Sequence, residues 1–401
     1  MKSRRMLGVA AYGIAALLLI SACAGDGSPD GQTTSSGVAI STDARDRQGE
    51  VVGTEPGLEQ WAAALPAGTR TTRIVYRSTS GVDGAGTAVS GAIFIPSDER
   101  RPDEGWPLIA YAHGTTGISR DCAPSDRPDM FGDLTAVDDF LRRGYAVVTT
   151  DYQGLGTRTG DTPPHPYLEP HTAAYNVIDA VRAARSVEPD IGPEWFAVGA
   201  SQGGAAAWAT AEQYASYGEG SGDLVGAVAV APLLDATYLV DNAQNGHLTT
   251  AQRYLYPLLV RGVAQSDPQV TTIDHLPAGA SPTAAGSCPL DGTALATQPA
   301  APAADAFVAV TPAAAEHLRT TVGSYALPQE STEVPILAFY GSLDDIIPPD
   351  VMQITLQRGC SVGDQLTRVR RERQGHSLDP GPLMAKWMSD RLDDAPVPSD
   401  C

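Results

Sequence analysis

The sequence predicts an α/β fold in which a mostly parallel central sheet carries helices on both faces. Short apolar runs alternate along the chain with segments of helical periodicity, which is the order expected of βαβ units. Residues 145–150 and 225–231 form nearly continuous apolar runs, as in parallel strands that are buried on both faces. With 401 residues, of which 42% are hydrophobic, the chain is long enough to bury a large core.

The first 22 residues have the pattern of a lipoprotein signal peptide. A positively charged start precedes an apolar stretch over residues 6–20, which is too short and too rich in Gly and Ala for a membrane span. Residues 20–23 read Ile-Ser-Ala-Cys and resemble a bacterial lipobox, whose cysteine is lipid-modified and becomes the mature N-terminus. We therefore expect an exported protein that lipid on Cys23 anchors to the outer leaflet of a membrane. An ordinary signal peptide, which would release a secreted protein, is the alternative.

Composition limits the possible partners. The formal net charge of −20 argues against a nucleic-acid partner, because phosphate binding needs a basic surface. Residues 23–50 are rich in Gly, Ser, Thr and Asp and predict a flexible tether ahead of a folded domain over residues 51–395. No Cys-x-x-Cys pair occurs, which disfavours a zinc site of that type, and we predict no metal site.

The cysteines indicate disulfide bonds. If Cys23 carries lipid, an even number of cysteines is left, and in an exported protein this predicts two disulfides. The remaining cysteines can pair in three ways, and sequence alone does not choose among them. They are Cys122, Cys288, Cys360 and Cys401.

The first half of the domain reads as a hairpin followed by alternating strands and helices. Two β-rich runs joined by a Gly-rich turn predict an antiparallel hairpin, and the next apolar run ends in a His-Gly-Thr-Thr-Gly loop. The predicted strands cover residues 71–79, 87–95, 106–113 and 145–150, a run ending at 199, and 225–231. Of the three predicted helices, one ends at residue 143 and the other two cover residues 171–186 and 202–217.

The pattern breaks over residues 232–333, which contain no long apolar strand. A helix is predicted over residues 251–263, and a stretch rich in Pro and Ala covers residues 276–315. Because an unstructured loop of this length is implausible inside a compact domain, we expect a mainly helical cap or lid folded over the sheet. An interdomain linker is the alternative, although the strand pattern resumes afterwards without a new start signal.

The last part of the domain completes the alternation. An apolar strand is followed by a helix that begins with two prolines, which suit the first helical turn. A polar strand of the edge type, a Gly-His loop and a final helix come next. These elements cover residues 335–340, 348–358, 365–371, 374–377 and 383–392.

A Gly-Ala-Ser-Gln-Gly sequence at residues 199–203 places Ser201 between a predicted strand and a predicted helix. In this context a G-x-S-x-G pattern forms a nucleophile elbow, because the tight turn leaves no room for larger residues two positions before and after the serine. A second match, at residues 359–363, follows a predicted helix instead of a strand. We therefore predict Ser201 as the nucleophile and interpret Ser361 as a loop serine.

A nucleophilic serine needs a histidine base, and the base needs a carboxylate to orient it. In α/β-hydrolases these residues follow the chain order Ser, Asp or Glu, His. Of the seven histidines, only His376 lies beyond the last apolar strand. Asp344 and Asp345 directly follow that strand, where catalytic groups of open parallel sheets are found. Adjacent side chains diverge, so only one can reach the histidine. We expect Asp344, with Asp345 as the alternative.

Acyl transfer at a serine also needs an oxyanion hole made of two backbone donors. One is expected to be the N–H of Gln202, directly after the nucleophile, and the other to come from the loop after an earlier strand. The glycines of the His-Gly-Thr-Thr-Gly loop let its backbone approach a substrate, and we predict Thr115 as this donor, with Thr116 as the alternative. We interpret His113, which precedes Ser201 in the chain, as a residue that braces the loop.

Over residues 50–395 the chain resembles the secretory lipase family, whose best-known members are fungal enzymes of the lipase A type. The resemblance depends on several motifs together: residues 112–117 (AHGTTG), 151–156 (DYQGLG), 165–167 (HPY), 199–204 (GASQGG), 341–344 (GSLD) and 347–348 (IP). It implies an α/β-hydrolase fold with a helical cap between the sixth and seventh main strands. It also implies hydrolysis of carboxylic esters, including acylglycerols, without a cofactor.

The resemblance also assigns individual residues. It implies that Ser201, Asp344 and His376 are the nucleophile, acid and base. It further implies that Cys122 pairs with Cys288 of the cap, which leaves the last two cysteines, Cys360 and Cys401, to pair with each other.

We therefore predict a serine hydrolase that cleaves carboxylic esters of small molecules or lipids through an acyl-enzyme. A serine peptidase or acyltransferase on the same fold is the first alternative. A non-catalytic envelope binding protein that kept the fold is the second. Acyl-chain preference and oligomeric state do not follow from the sequence.

Overall fold

The computed structural model describes residues 38–97, 101–157, 162–277, 288 and 302–401. Its strands form one nine-stranded sheet in the order β1-β2-β3-β5-β4-β6-β7-β8-β9. The first three strands pair antiparallel, β3 pairs antiparallel with β5, and all later pairs are parallel. The strands are β1 (Val51–Pro56), β2 (Arg70–Thr79), β3 (Gly86–Ile95), β4 (Trp106–Ala112), β5 (Ala146–Thr150), β6 (Ile191–Ala200), β7 (Asp223–Val230), β8 (Ile336–Gly341) and β9 (Leu366–Arg371).

Helices connect the strands and cover both faces of the sheet, which confirms the predicted α/β class. None of the described helices is long and apolar enough to cross a membrane. In chain order the α-helices are α1 (Thr42–Asp46), α2 (Glu59–Ala64), α3 (Leu134–Arg142), α4 (Pro170–Val187), α5 (Gln202–Tyr217), α6 (Thr237–Gln244), α7 (Thr250–Ser266), α8 (Thr272–His275), α9 (Pro312–Ser324), α10 (Pro349–Val362) and α11 (Gly381–Leu392).

The uninterrupted apolar strands are explained by two cores, one on each face of the sheet. Along β4, Leu108 and Ala110 pack into the core that contains α4 and α5. The residues between and after them, Ile109 and Tyr111, pack into the core that contains α3 and α11. Because side chains alternate between the faces of a strand, burial on both faces requires apolar residues at every position.

Two features at the start of the domain differ from the sequence prediction. Residues 38–50, expected as the end of a flexible tether, instead contain α1, whose Ala44 is buried against the sheet, and Ser41 N–H donates to the Gly84 carbonyl at 2.8 Å. β1 was not predicted, because most of its residues are exposed and it lacks a clean alternation of apolar and polar side chains. A single antiparallel pairing at the sheet edge is enough to hold such a strand.

Between the end of β7 and the start of β8, the described residues form helices α6 to α9. Leu258, Leu259 and Phe307 from this region are buried in the same core as α4 and α5. The N-terminus of α7 is closed by a capping box between Thr249 and Gln252. Both of these side chains also donate to carbonyls in the loop after β8, Thr249 to Asp345 and Gln252 to Ile346. The helical region is therefore attached directly to the loop that carries Asp344.

Candidate active site

Ser201 occupies a strained turn between β6 and α5. Its φ of 57° and ψ of −116° are rare for a residue with a side chain, and such strain concentrates at functional sites. Two backbone bonds hold the turn: Ser201 N–H donates to the Val230 carbonyl at 2.8 Å, and the Ser201 carbonyl accepts from Leu233 N–H at 3.1 Å. The serine is half-buried, directly ahead of the free N–H groups of the first turn of α5.

The two glycines of the elbow are required by close backbone approach. A Cβ on Gly203 would collide with the carbonyl oxygen of Ala112, at the end of the neighbouring strand β4. A Cβ on Gly199 would collide with the carbonyl oxygen of Gly203 itself, across the turn. The spacing of the G-x-S-x-G pattern thus has a direct steric reason at residues 199–203.

Ser361 does not lie in such a turn. It belongs to the last turn of α10, where its hydroxyl donates to the Gln357 carbonyl at 2.9 Å. The prediction of a loop serine is therefore wrong in its local structure, because the helix continues to Val362, about one turn beyond the predicted end at residue 358. Ser361 nevertheless lacks the strand-to-helix context of Ser201.

Asp344 and His376 are hydrogen-bonded to each other. His376 Nδ1 and Asp344 Oδ2 are 2.9 Å apart, and the side chains are 16% and 2% exposed. The other carboxylate oxygen, Oδ1, accepts from the N–H groups of Ile346 at 2.9 Å and Ile347 at 2.8 Å. The neighbouring Asp345 is exposed. Of the two adjacent aspartates, it is Asp344 that contacts the histidine.

This contact fixes the tautomer of His376. A carboxylate only accepts, so Nδ1 carries the proton and Nε2 is left with its lone pair. The histidine loop is held by backbone bonds to the loop after β8, where Leu343 N–H donates to the Gln374 carbonyl at 2.9 Å. A Cβ on Gly341 would collide with the carbonyl of Gly375, so a glycine is needed where the two loops cross.

The sheet places Ser201 and Asp344 on the same side, at the carboxyl ends of its parallel strands. Ser201 follows β6 and Asp344 follows β8, and these parallel strands are separated only by β7. Adjacent strands lie about 4.8 Å apart, so the two strand ends are about 10 Å apart. The carboxyl edge of a parallel sheet is where open α/β folds bind ligands.

The loop after β4 lies against the elbow. A Cβ on Gly114 would be 3.5 Å from the carbonyl oxygen of Ala200, so its backbone passes close to the nucleophile turn. His113 is buried beneath the loop, with its Nδ1 2.6 Å from the Gly114 carbonyl, and its own carbonyl accepts from Tyr152 Oη at 3.0 Å. Burial lowers the pKa of the His113 imidazole, and these contacts support the bracing role.

The side chains of the candidate oxyanion residues form hydrogen bonds with different partners. Thr115 Oγ1 and Tyr167 Oη are 2.6 Å apart, while Thr116 Oγ1 donates to the Cys122 carbonyl at 2.7 Å. Gln202 is buried, and its side-chain amide Nε2 lies 2.9 Å from His165 Nε2. No role was predicted for His165 or Tyr167 from the sequence. Both belong to the His-Pro-Tyr motif at residues 165–167, which contributed to the family resemblance but received no function. That motif was the signal that could have marked them as candidate functional residues.

A mostly apolar pocket opens beside Gln202. It is narrow and lies between the starts of α4 and α5 and the helical region after β7. Its apolar walls come from α5, from the segment after β7 and from helices α7 and α9, and include Ala205, Ala206, Leu233, Leu234, Leu259, Val322 and Leu327.

Two disulfides join distant parts of the chain. Cys122, shortly after the loop that follows β4, is bonded to Cys288, and Cys360 at the end of α10 is bonded to Cys401. These are the pairs that the resemblance implied. Cys23 and the predicted signal peptide lie outside the described residues. Within the described parts of the chain, no group of three or more His, Cys, Asp or Glu residues is placed to hold a metal ion.

Comparison with known proteins identifies the fold. The model of the secretory lipase family matches residues 130–281. No curated protein matches the chain significantly. Among solved structures, Candida antarctica lipase A in its closed state superposes with a TM-score of 0.69 at 16% identity, covering 89% of this chain and 85% of the lipase.

Two bacterial structures are similarly related. The rice cell wall degrading esterase LipA from Xanthomonas oryzae superposes with a TM-score of 0.64 at 21% identity, covering 87% of this chain and all of the esterase. A putative hydrolase from Legionella pneumophila has a TM-score of 0.64 at 17% identity, with 86% and 96% of the two chains covered. The chain thus has the α/β-hydrolase fold of these proteins.

Proposed function

We propose that this chain is a carboxylic ester hydrolase in which Ser201 is the nucleophile, His376 the general base and Asp344 the residue that orients the base. The observation that carries this proposal is the Asp344–His376 hydrogen bond, two strands along the sheet edge from the strained turn of Ser201. The secretory lipase match and the lipase and esterase among the structural neighbours support it.

In the proposed reaction, Ser201 Oγ attacks the carbonyl carbon of the ester while His376 Nε2 takes the hydroxyl proton. The tetrahedral intermediate collapses, the bond to the alcohol breaks, and His376 returns the proton to the leaving oxygen. A water molecule, deprotonated by His376, then attacks the acyl carbon, and as the bond to Ser201 Oγ breaks His376 returns this proton to Oγ, which releases the carboxylic acid and restores both residues. Asp344 stabilises the imidazolium that forms in each half-reaction.

The negative oxygen of each intermediate would be held by the backbone N–H groups of Gln202 and Thr115. Gln202 is the first residue of α5, where N–H groups lack helical partners and the helix dipole favours negative charge. Thr115 belongs to the loop whose Gly114 approaches the Ala200 carbonyl. Preorganised donors of this kind account for a large share of catalysis by acyl-transfer enzymes.

The substrate class proposed is an ester with an apolar acyl group, acylglycerols included. The apolar pocket is lined by Gln202, which follows Ser201 in the chain, and by Leu233, whose N–H donates to the Ser201 carbonyl, and it would take the acyl chain. We further propose that α6 to α9 form the predicted cap over this pocket and that lipid on Cys23 anchors the exported enzyme. The family match and the two disulfides support export.

A substrate panel tests the proposed class. We expect turnover of p-nitrophenyl esters of increasing acyl length and of an emulsified triglyceride, and none of short peptides. A rise in rate once the substrate exceeds its solubility would indicate a lipase that works at interfaces, whereas a smooth dependence would indicate an esterase. Peptide cleavage without ester cleavage would contradict the proposal and favour the peptidase alternative.

A further inference from the structure

Residues 165–167, a His-Pro-Tyr sequence, contact both residues proposed as oxyanion donors. His165 Nε2 lies 2.9 Å from the side-chain amide Nε2 of Gln202, and Tyr167 Oη lies 2.6 Å from Thr115 Oγ1. Thr115 follows β4 and Gln202 begins α5, so these two donors come from separate elements. We propose that His165 and Tyr167 are positioning residues that fix the two oxyanion donors, Thr115 and Gln202, relative to each other. This inference rests on the proposed function.

The direction of the His165 contact follows from its other nitrogen. His165 Nδ1 lies 2.9 Å from the Gln153 carbonyl, which can only accept, so Nδ1 carries the proton. Nε2 then accepts from the Gln202 amide. Burial lowers the pKa of His165 to about 3, so the imidazole stays neutral at working pH and this arrangement does not change. Gln202 is thereby held by its side chain at the residue that supplies the first oxyanion donor.

Thr115 needs such an anchor because its loop is rich in glycine. Gly114 directly precedes it, and Gly117, two residues further on, has a φ of 149°, so glycines on both sides of the Thr115–Thr116 pair leave the loop backbone less restricted than residues with side chains would. The bond to Tyr167 fixes the Thr115 side chain, and through it the peptide that would donate to the oxyanion. Thr116 is tied separately to the Cys122 carbonyl.

His165 and Tyr167, together called the clamp, pack closely against neighbouring backbone. A Cβ on Gly154 would collide with the backbone of His165, and a Cβ on Gly262 would collide with the Cβ of Tyr167. Both residues of the clamp are buried, and the Tyr167 N–H donates to the His165 carbonyl at 3.0 Å, closing a tight turn. Because Gly262 lies in α7, the helical region after β7 packs directly on the residue that holds Thr115.

Positioning of this kind acts on the transition state. Oxyanion donors must lie about 2.7–3.1 Å from the place where the negative oxygen forms, and a shift of about 1 Å can cost on the order of 100-fold in rate. Loss of the clamp should therefore lower kcat. Binding of the ground-state ester should change little in a Tyr167 variant, because Tyr167 is not among the residues that line the apolar pocket, whereas His165 is.

Tyr167→Phe removes a single oxygen atom and leaves the ring packing intact. We expect kcat on a soluble p-nitrophenyl ester to fall about tenfold, with KM within about twofold and a parallel fall in the rate of fluorophosphonate labelling. The matched control is Tyr256→Phe, since the Tyr256 hydroxyl is also buried and has no partner among the described residues. This control should keep wild-type kcat.

His165→Phe and His165→Gln test the other half of the clamp. Phe keeps a ring against Tyr152 but cannot accept from Gln202, so kcat should fall about tenfold. Gln offers an acceptor oxygen at a similar reach and should restore part of the loss. The acid limb of the pH–rate profile should stay in place in both variants, because His165 is not the group that titrates.

The outcomes separate this inference from the function on which it rests. If Ser201→Ala is inactive while Tyr167→Phe and His165→Phe keep kcat within twofold of wild type, the clamp is not a positioning device and the proposed function stands. If Ser201→Ala keeps wild-type ester turnover, both proposals fall. A loss of thermal stability in Tyr167→Phe with unchanged kcat in the folded enzyme would also overturn the clamp. Wild-type stability with reduced kcat would support it.

Discussion

At the scale of single residues, the candidate site is defined by what each polar atom contacts. Asp344 places one carboxylate oxygen on two backbone N–H groups and the other on His376 Nδ1. The carboxylate thereby receives three hydrogen bonds and leaves His376 Nε2 free to act as a base. The adjacent Asp345 is exposed, and its carbonyl oxygen accepts a hydrogen bond from Thr249.

This difference makes the two aspartates a matched pair for mutagenesis. We expect Asp344→Asn to lower kcat by about 10³–10⁴-fold, since an amide cannot hold His376 in the required tautomer or stabilise its positive charge. Asp345→Asn should change kcat by less than about twofold. Steady-state kinetics of both variants on one ester would decide. Equal losses, or a larger loss in Asp345→Asn, would contradict the assignment of Asp344.

At the scale of elements, α5 carries the nucleophile at one end and contacts the segment between α9 and β8 near its other end. Its N-terminus carries Ser201 and Gln202. Near its C-terminus the buried Glu212 accepts from the N–H groups of Gln329 at 3.1 Å and of Glu330, in the segment that leads from α9 to β8. The Trp208 indole donates to the same carboxylate at 2.9 Å.

Burial of Glu212 makes stability depend on pH. Desolvation raises the pKa of its carboxyl from 4.5 to about 8, so the folded chain retains a proton that the unfolded chain loses. Stability from this group is complete below pH 4.5 and is lost as the pH rises towards 8, by up to about 1.4 kcal/mol per pH unit. Glu212→Gln keeps an acceptor oxygen but cannot titrate, and should remove this part of the pH dependence.

Urea unfolding of both proteins between pH 5 and pH 8 measures the effect. Other buried carboxyls that do not interact with Glu212, such as Asp133 with a pKa of about 7, contribute to both curves and cancel in the difference. We expect the stability of the variant relative to wild type to rise across this range. A difference that does not depend on pH would show that Glu212 does not titrate there.

At the scale of the whole molecule, the chain combines an exported hydrolase domain with a proposed lipid anchor. The domain begins to pack at about residue 38, so fewer than 20 residues separate it from Cys23. If lipid on Cys23 anchors the chain as proposed, the enzyme would act on esters at or near the membrane surface.

Cys23→Ser tests the anchor without touching the domain. We expect the full-length protein expressed in a host that processes lipoproteins to move from the membrane fraction to the soluble fraction. Ester turnover per molecule should be unchanged. Wild-type protein already found in the soluble fraction would instead indicate an ordinary signal peptide and a secreted enzyme.

Much of this architecture could be predicted because strong periodic signals coincide with short motifs. The buried strands β4 to β8 are apolar on both faces, Ser201 and Asp344 each follow such a strand, and His376 is the one histidine of the sequence that comes after the last of them. β1 and the packing of residues 38–50 could not be predicted, because they depend on edge pairing and on contacts with distant segments.

The contacts of His165 and Tyr167 were beyond sequence reasoning for a related reason. Their partners Gln202 and Thr115 lie 37 and 52 residues away, and nothing local in a His-Pro-Tyr sequence indicates which side chains it will meet. The same holds for the contacts of Glu212 with Gln329 and Glu330, which lie more than 100 residues further on in the chain. Long-range polar contacts follow from the packed fold and leave no periodic trace in the sequence.

The most direct test of the central claim uses the two serines that fit the same five-residue pattern. Ser201→Ala and Ser361→Ala are compared for fluorophosphonate labelling and for ester turnover, with circular dichroism to verify folding. The account predicts that Ser201→Ala loses labelling and falls by at least about 10³-fold in kcat, whereas Ser361→Ala keeps both. Retained labelling and turnover in Ser201→Ala, or their loss in Ser361→Ala, would contradict it.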